Sequence, residues 1–231
     1  MIFKPIEPLS IYASASVSHL PSSGDQFASL TVTTQTLEPE DFHNYELGAK
    51  WDVADALSLT AAAYRLDRTN SQAPDPNTPS LIVQTGARRT NGVELGASGN
   101  ITEAWSVAAG YALQRAFVTA TTTAAPAGNT VQNVPRNTLS LWNRYQLTPV
   151  FGAALGIVSQ GRSYAAIDNT VTLPGFARTD AGLFAKVTPN LRAQLNVENL
   201  FDVKYYPTSQ GNNQIMPGAP RTLLVSLTAN R

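Results

Sequence analysis

Apolar and polar residues alternate along most of the chain, and helical periodicity is almost absent. Tyr45, Leu47, Ala49, Trp51 and Val53 alternate with Glu46, Gly48, Lys50 and Asp52. Val93, Leu95, Ala97, Gly99 and Ile101 do the same with Glu94, Gly96, Ser98 and Asn100, as do Leu191, Ala193, Leu195 and Val197 with Arg192, Gln194, Asn196 and Glu198. Leu223, Val225 and Leu227 form a fourth such row, with Leu224 the one exception. Side chains change faces at every residue of a strand, so each segment predicts a strand with one apolar and one mostly polar face.

Two kinds of connection separate these strands. Tight ones place Pro, Asp, Glu or Asn between apolar ends, around Glu7, Asp55, Glu103, Pro149 and Asn190, at spacings of 48, 48, 46 and 41 residues. Midway between them lie polar stretches at 21–40, 67–80, 120–133, 166–172 and 207–216, rich in Ser, Thr, Asn, Gly and Pro as exposed loops are. The repeat is strand, long loop, strand, tight turn, five times over, which predicts about ten strands. The segments 89–100 and 105–119 exceed the average globular strand of about five or six residues. Short turns at one end, long loops at the other and long strands predict an all-β, antiparallel transmembrane barrel wall. A propeller with a similar repeat needs four short strands per blade, not two long ones.

Composition fits that picture and removes others. Of 231 residues only 14% are charged, against roughly 25% in a typical soluble domain, yet mean hydropathy is −0.12. One lipid face and one wet face average to such values. Without cysteine there is no disulfide, thiolate nucleophile or Cys-held metal. Sixteen cationic against sixteen acidic residues, with no dense basic block, exclude nucleic acid as a partner. Residues 1–10 lack the apolar core of a signal peptide. Trp51, Trp105, Tyr145 and Phe151 sit near tight turns and Tyr12, Tyr64 and Tyr164 nearer loops, as two interfacial aromatic girdles would.

Several motifs then resemble those of TonB-dependent siderophore receptors of the ferrichrome type, in that family's order and over essentially the whole chain. Lys4-Pro5 with Ser10-Ile11-Tyr12-Ala13-Ser14 resembles "KPxxxLSxYAS", and Tyr45-Glu46-Leu47-Gly48-Ala49-Lys50 resembles "YELGxK". Gln84-Thr85-Gly86 with Arg89 and Gly92-Val93-Glu94-Leu95 resembles "QTGxxRSxGxEL", and Ser140-Leu141-Trp142 with Tyr145 resembles "SLWxxY". Asn199-Leu200-Phe201-Asp202 with Tyr205, followed by Gly218, Pro220 and Arg221, resembles the C-terminal signature "NLFDxxY … GxPR". The resemblance implies a barrel of about 22 strands filled by an N-terminal plug. It also implies uptake of a ferric siderophore across the outer membrane of a Gram-negative bacterium, driven by the TonB complex. On that reading residues 1–231 are the C-terminal part of a barrel wall, expected to lack about twelve strands, the plug, the TonB box and a signal peptide. The family's terminal aromatic is replaced by Arg231. Alternatives are a remnant or split half with no transport of its own, or a small passive channel or barrel enzyme closed by pairing the strand after Pro8 with the last one.

Asn199, Leu200, Phe201 and Asp202 are expected to act structurally, through Asn and Asp turn chemistry with Leu and Phe packing, at a kink in the ninth strand. Gly218 and Arg221 are expected to set a bulge and a charge contact in the lumen. Glu46, Lys50, Glu94, Arg192 and Glu198 are expected to face the lumen, bonded to the plug and one another. His19 and His43 could serve haem but read as solvated loop residues. No nucleophile elbow or phosphate-binding glycine loop occurs, so no enzyme activity and no cofactor are expected. Iron would arrive ligated by the siderophore's own oxygens. The candidate ligand contacts are Tyr164, Gln210, Asn212 and Asn213, on the last two long loops.

Overall fold

A computed structural model describes residues 1–21, 38–74, 82–121 and 125–229, so most of the first loop, the tip of the second and Arg231 lie outside the described residues. One antiparallel sheet of eleven strands dominates. Its strands are β1 (Ile2–Ile6), β2 (Leu9–Leu20), β3 (Glu40–Ala54), β4 (Leu57–Pro74), β5 (Ile82–Asn100), β6 (Trp105–Val118), β7 (Asn137–Gln146), β8 (Phe151–Gln160), β11 (Phe176–Thr188), β12 (Leu191–Glu198) and β15 (Thr222–Ala229). Neighbours in the sheet follow chain order, as the repeat requires. Two small hairpins, β9 (Ser163–Tyr164) with β10 (Thr172–Leu173) and β13 (Thr208–Gly211) with β14 (Gln214–Met216), occupy the last two long connections. The eleventh strand, beyond the ten expected, is β1: the residues before the first tight turn pair back onto β2. β1 and β15 are the sheet edges, so β2 does not pair with β15.

The tight turns lie side by side along one end of the sheet, where backbone bonds link each to the next: Asp52 N to Pro8 O (2.8 Å), Asn100 N to Ala56 O (2.6 Å), Gln146 N to Ala104 O (2.8 Å) and Lys186 N to Val150 O (2.8 Å). Two of them share one chemistry. Thr102 Oγ1 accepts from Trp105 N, and Thr148 Oγ1 from Phe151 N, so a threonine three residues before the next strand closes each turn.

Register divides the side chains into two faces. Ile11, Ala49, Ala61, Leu95, Tyr111 and Leu139 form one continuous cross-strand row on the apolar face. The next polar-face row runs through Tyr12, Gly48, Ala62, Glu94, Ala112 and Thr138. No interior covers the apolar face: Leu227 is 70% exposed and Leu47 59%, while the largest fully buried side chains are Leu173, Asn199 and Ser71. That inverts a water-soluble fold and suits a wall whose apolar side meets lipid. From Val53 to Tyr45 the apolar row runs about 27 Å along β3 at ~3.4 Å per residue. On the three strands β3, β4 and β5 it stops at one level, where Tyr45, Arg65 and Asn91 pair in register, while Val17 and Phe117 carry it one rung further on the flanking strands. Beyond it come His43, Asp67 and Arg89.

This boundary explains where sequence and structure differ. Residues 67–74 belong to β4 rather than to a loop, and β5 starts seven residues before the strand expected at 89. The hairpin continues past the apolar band, where Asp67, Arg68, Arg88 and Arg89 interrupt the alternation and it no longer marks a strand. Ion pairs from Asp67 to Arg65 and Arg89, and from Glu40 to Arg68, brace it there. His19 and His43 lie on the same strand extensions, on the apolar face's side, with His19 against Asp41, and so are not loop residues. Only one of the two expected girdles exists as drawn. Trp51, Trp105, Tyr145 and Phe151 are on the apolar face near the turns, with Trp105 Nε1 donating to Asn143 Oδ1 at 3.2 Å. Tyr12 and Tyr64 instead face the polar side. Tyr12 donates to Glu46 across Gly48, and Tyr64 donates to Gln114 across Gly92. Each ring needs a glycine opposite, because an added Cβ would overlap it.

Candidate functional site

The loop end of the sheet carries two polar assemblies. The first forms where the chain leaves β12. Asn199 is 0% exposed at φ 53°, a left-handed position that Asn tolerates better than most residues. Its Nδ2 donates to Val203 O (2.9 Å) and Ala219 O (3.1 Å), its Oδ1 accepts from Val203 N (2.9 Å), and its own N–H donates to Asp180 Oδ1 (2.8 Å). Arg178 bridges Asp180 Oδ2 (2.8 Å) and the Tyr205 hydroxyl (2.9 Å), and the Tyr205 ring lies 4.6 Å from that of Phe176. Asp202, at φ 52°, accepts from Arg221 N through Oδ1 (2.8 Å). The motif therefore ties the end of β12 to the start of β15, across the long connection between them.

Several expectations about that motif need correction. The chain turns after β12 has ended and does not kink within it. Phe201 is 71% exposed rather than packed into the structure; Leu200 is half-buried, its N–H on Thr179 O. Gly218 sets no bulge: its N–H bonds Tyr205 O, and it leaves the space that the Tyr205 ring fills. Arg221 is held by its backbone, and among the described residues its side chain makes no ion pair. Pro220 offers its carbonyl to Thr222 Oγ1 (3.0 Å).

The second assembly joins three connections into one platform. Asn133, at φ 56°, donates from its backbone to Tyr164 O (2.9 Å) and from Nδ2 to Ser209 O (2.7 Å), and accepts Ser209 N through Oδ1 (3.1 Å). Ser209 Oγ reaches Ala165 O (2.8 Å). Asn169 makes the same reciprocal pair with the backbone of Thr130, both bonds 2.8 Å. Asn212 Nδ2 bonds Asp168 Oδ2 (2.9 Å) and Thr170 Oγ1 (3.0 Å). The Thr170 backbone N–H, foremost, holds the Asp168 carboxyl below the usual carboxylate range. The Asn133 and Asn169 amides each imitate one rung of a β-ladder, donating and accepting at once.

Beneath the platform, at the polar face, lies a cavity of about 260 Å³ lined by Gln114, Arg136, Arg162, Ser163 and Tyr164 among others. Arg136 and Arg162 are exposed, and among the described residues neither pairs with a carboxylate. Two guanidinium groups beside a phenol and an amide offer charge-assisted bonds and a stacking surface to an anionic aromatic ligand. The volume is below that of a usual small-molecule pocket, so the cavity suits part of a ligand.

Of the four candidate contacts, Tyr164 lines this cavity, half-buried. Asn212 is already engaged in holding the loops together. Gln210 and Asn213 are exposed at the β13–β14 hairpin, away from the cavity lining. Sequence reasoning missed Arg136, Arg162 and the two bracing asparagines. Isolated arginines flanking strands carry no motif, but asparagines in glycine-poor loops do signal left-handed turns. Among the described residues no group of three or more His, Asp or Glu could hold a metal ion.

Comparison with known proteins adds the following. Residues 1–200 match the family described as TonB dependent receptor-like, beta-barrel. The chain is 30% identical over 242 residues to the probable TonB-dependent siderophore receptor PiuA of Acinetobacter baumannii, covering 97% of this chain and 32% of PiuA. It is 34% identical over 233 residues to the catecholate siderophore receptor Fiu of Escherichia coli, covering 95% of this chain and 30% of Fiu. The crystal structure of PiuA superposes with a TM-score of 0.89 at 28% identity, over 99% of this chain and 34% of that one. The closed form of Fiu does so with 0.86 at 30% identity, over 99% and 34%. The chain thus spans about a third of the length of the curated relatives it matches.

Proposed function

This chain belongs to the β-barrel family of TonB-dependent receptors, and on that premise we propose that residues 1–231 are the C-terminal part of the wall of an outer-membrane receptor that imports a ferric siderophore. Upstream strands complete the barrel, an N-terminal plug fills it, and TonB energises transport through that plug. The open edges at β1 and β15 support this reading, because unpaired backbone groups are not tolerated in lipid and only closed barrels span it. The chain performs no chemistry on its cargo.

The cavity beneath the loop platform carries the proposal. Arg136 and Arg162, which pair with no carboxylate among the described residues, line it beside Tyr164 at the loop end, where cargo would arrive. That set favours an anionic complex with aromatic rings, as an iron catecholate is, over a neutral one. Fiu, which the chain resembles, is named a catecholate siderophore receptor. The siderophore's oxygens hold the iron, so the wall needs no metal ligands of its own.

The test uses the full-length receptor carrying Arg136→Glu and Arg162→Glu together. Each charge-assisted hydrogen bond contributes about 1.5–3 kcal/mol. The affinity for a ferric catecholate should therefore fall by about 100-fold or more, measured by quenching of protein fluorescence. Growth of an iron-starved strain on that siderophore as sole iron source should fail. Unchanged affinity and growth would refute the site. Growth that never depended on the receptor gene would refute the function.

A further inference from the structure

On the polar face Tyr64, Gly92 and Gln114 stand on one rung of the adjacent strands β4, β5 and β6. Two strand spacings separate Tyr64 from Gln114, about 10 Å at ~4.8 Å per strand. Tyr64 spans that gap because Gly92 leaves the middle strand bare: a Cβ there would stand 2.6 Å from the phenol ring. Its hydroxyl donates to Gln114 Oε1 at 3.0 Å. Tyr12, by contrast, lies over Gly48 and ends on Glu46 of that same strand, so it joins β2 to β3 and goes no further. Packing on a glycine therefore does not account for the longer reach of Tyr64.

Gln114 lines the cargo cavity and holds the carbonyls on both sides of Arg136. Its Nε2 donates to Pro135 O (3.4 Å) and its backbone N–H to Arg136 O (2.8 Å). An amide has one end that accepts and one that donates, and an anionic ligand is bound only by the donating end. Pro135 O can only accept, so Nε2 faces it, and the Tyr64 proton on Oε1 holds the amide that way round. One N–H of Nε2 is left for the cavity. We infer that Tyr64 is a positioning residue of the cargo site: through Gln114 it presents an amide donor to the anionic cargo beside Arg136, without touching the cargo itself. The inference rests on the reading of that cavity as the ferric catecholate site.

In the full-length receptor, Tyr64→Phe keeps the ring in its slot over Gly92 and removes only the hydroxyl. The affinity for a ferric catecholate, measured by quenching of protein fluorescence, should fall about fivefold, the worth of one neutral hydrogen bond. Gln114→Leu should lower it about tenfold. The receptor carrying both should lose no more than Gln114→Leu alone, because the hydroxyl then has no amide to orient. A purely structural tyrosine would weaken the Gln114→Leu receptor about fivefold more, and that additive result would overturn the inference. Gln114→Glu keeps an acceptor for Tyr64 but sets a carboxylate in place of the donor, so it should cost more than Gln114→Leu; an equal or smaller loss overturns the donor role. Arg136→Glu with Arg162→Glu is measured alongside. If that variant loses affinity while Tyr64→Phe does not, this inference alone fails; if neither does, the reading of the cavity fails with it.

Discussion

Replacing Asn199 with alanine removes the side chain that joins the end of β12 to the start of β15. Three hydrogen bonds disappear, to Val203 O, Val203 N and Ala219 O. Val203 and Ala219 are partly exposed, so water recovers some of the loss and a net value near 1 kcal/mol per bond applies, about 3 kcal/mol in all. Alanine must also hold the left-handed φ of 53°, at a further cost of about 1 kcal/mol. The expected destabilisation is about 3–4 kcal/mol, and Asn199→Gly should be milder by about 1 kcal/mol because glycine accepts that φ freely. Asn199→Asp keeps one acceptor but sets a carboxylate beside Asp180, so its defect should shrink as pH is lowered. Chemical denaturation of the receptor in detergent, followed by tryptophan fluorescence, measures all three. A loss below about 1 kcal/mol for alanine, or a glycine variant no better than alanine, would refute the account of the motif as a structural tie.

Two further outcomes follow from the strands. Gly156→Ala pushes a Cβ into the Trp142 ring opposite and should cost about 1–3 kcal/mol, whereas Gly110→Ala, with open space around it, should be close to neutral; denaturation midpoints of the pair decide. Burial alone would raise the Asp67 carboxyl's pKa, but its bonds to Arg89 and Arg65 outweigh that and hold it below the usual carboxylate range. The hairpin extension should therefore keep its full stability above the unfolded carboxylate's pKa and lose it as pH falls through the lower folded value. Hydrogen exchange of β4 and β5 between pH 5 and 2 reads this, and Asp67→Asn should abolish the dependence.

The wall was legible from the sequence because its signals are local. Alternation marks a strand without reference to any partner, since the pleat alone sets the two-residue period, and the Pro, Asp, Glu and Asn turns punctuate it. The same logic failed at 67–74, where the hairpin passes beyond the apolar band and loses the alternation that reveals a strand. It failed again at Tyr12 and Tyr64: as aromatics they resembled girdle residues, but strand parity and the glycines opposite place them on the polar face. The functional end of the molecule depended on tertiary structure almost entirely. Asn133 meets Ser209 across 76 residues of chain. The cavity takes Gln114, Arg136, Arg162 and Tyr164 from three separate segments. Register alone sets Tyr64, Gly92 and Gln114 on one rung. A strand announces itself because each residue answers to its immediate neighbours and to solvent. A site does not, because its residues answer to one another only after the sheet has fixed which of them face the same side.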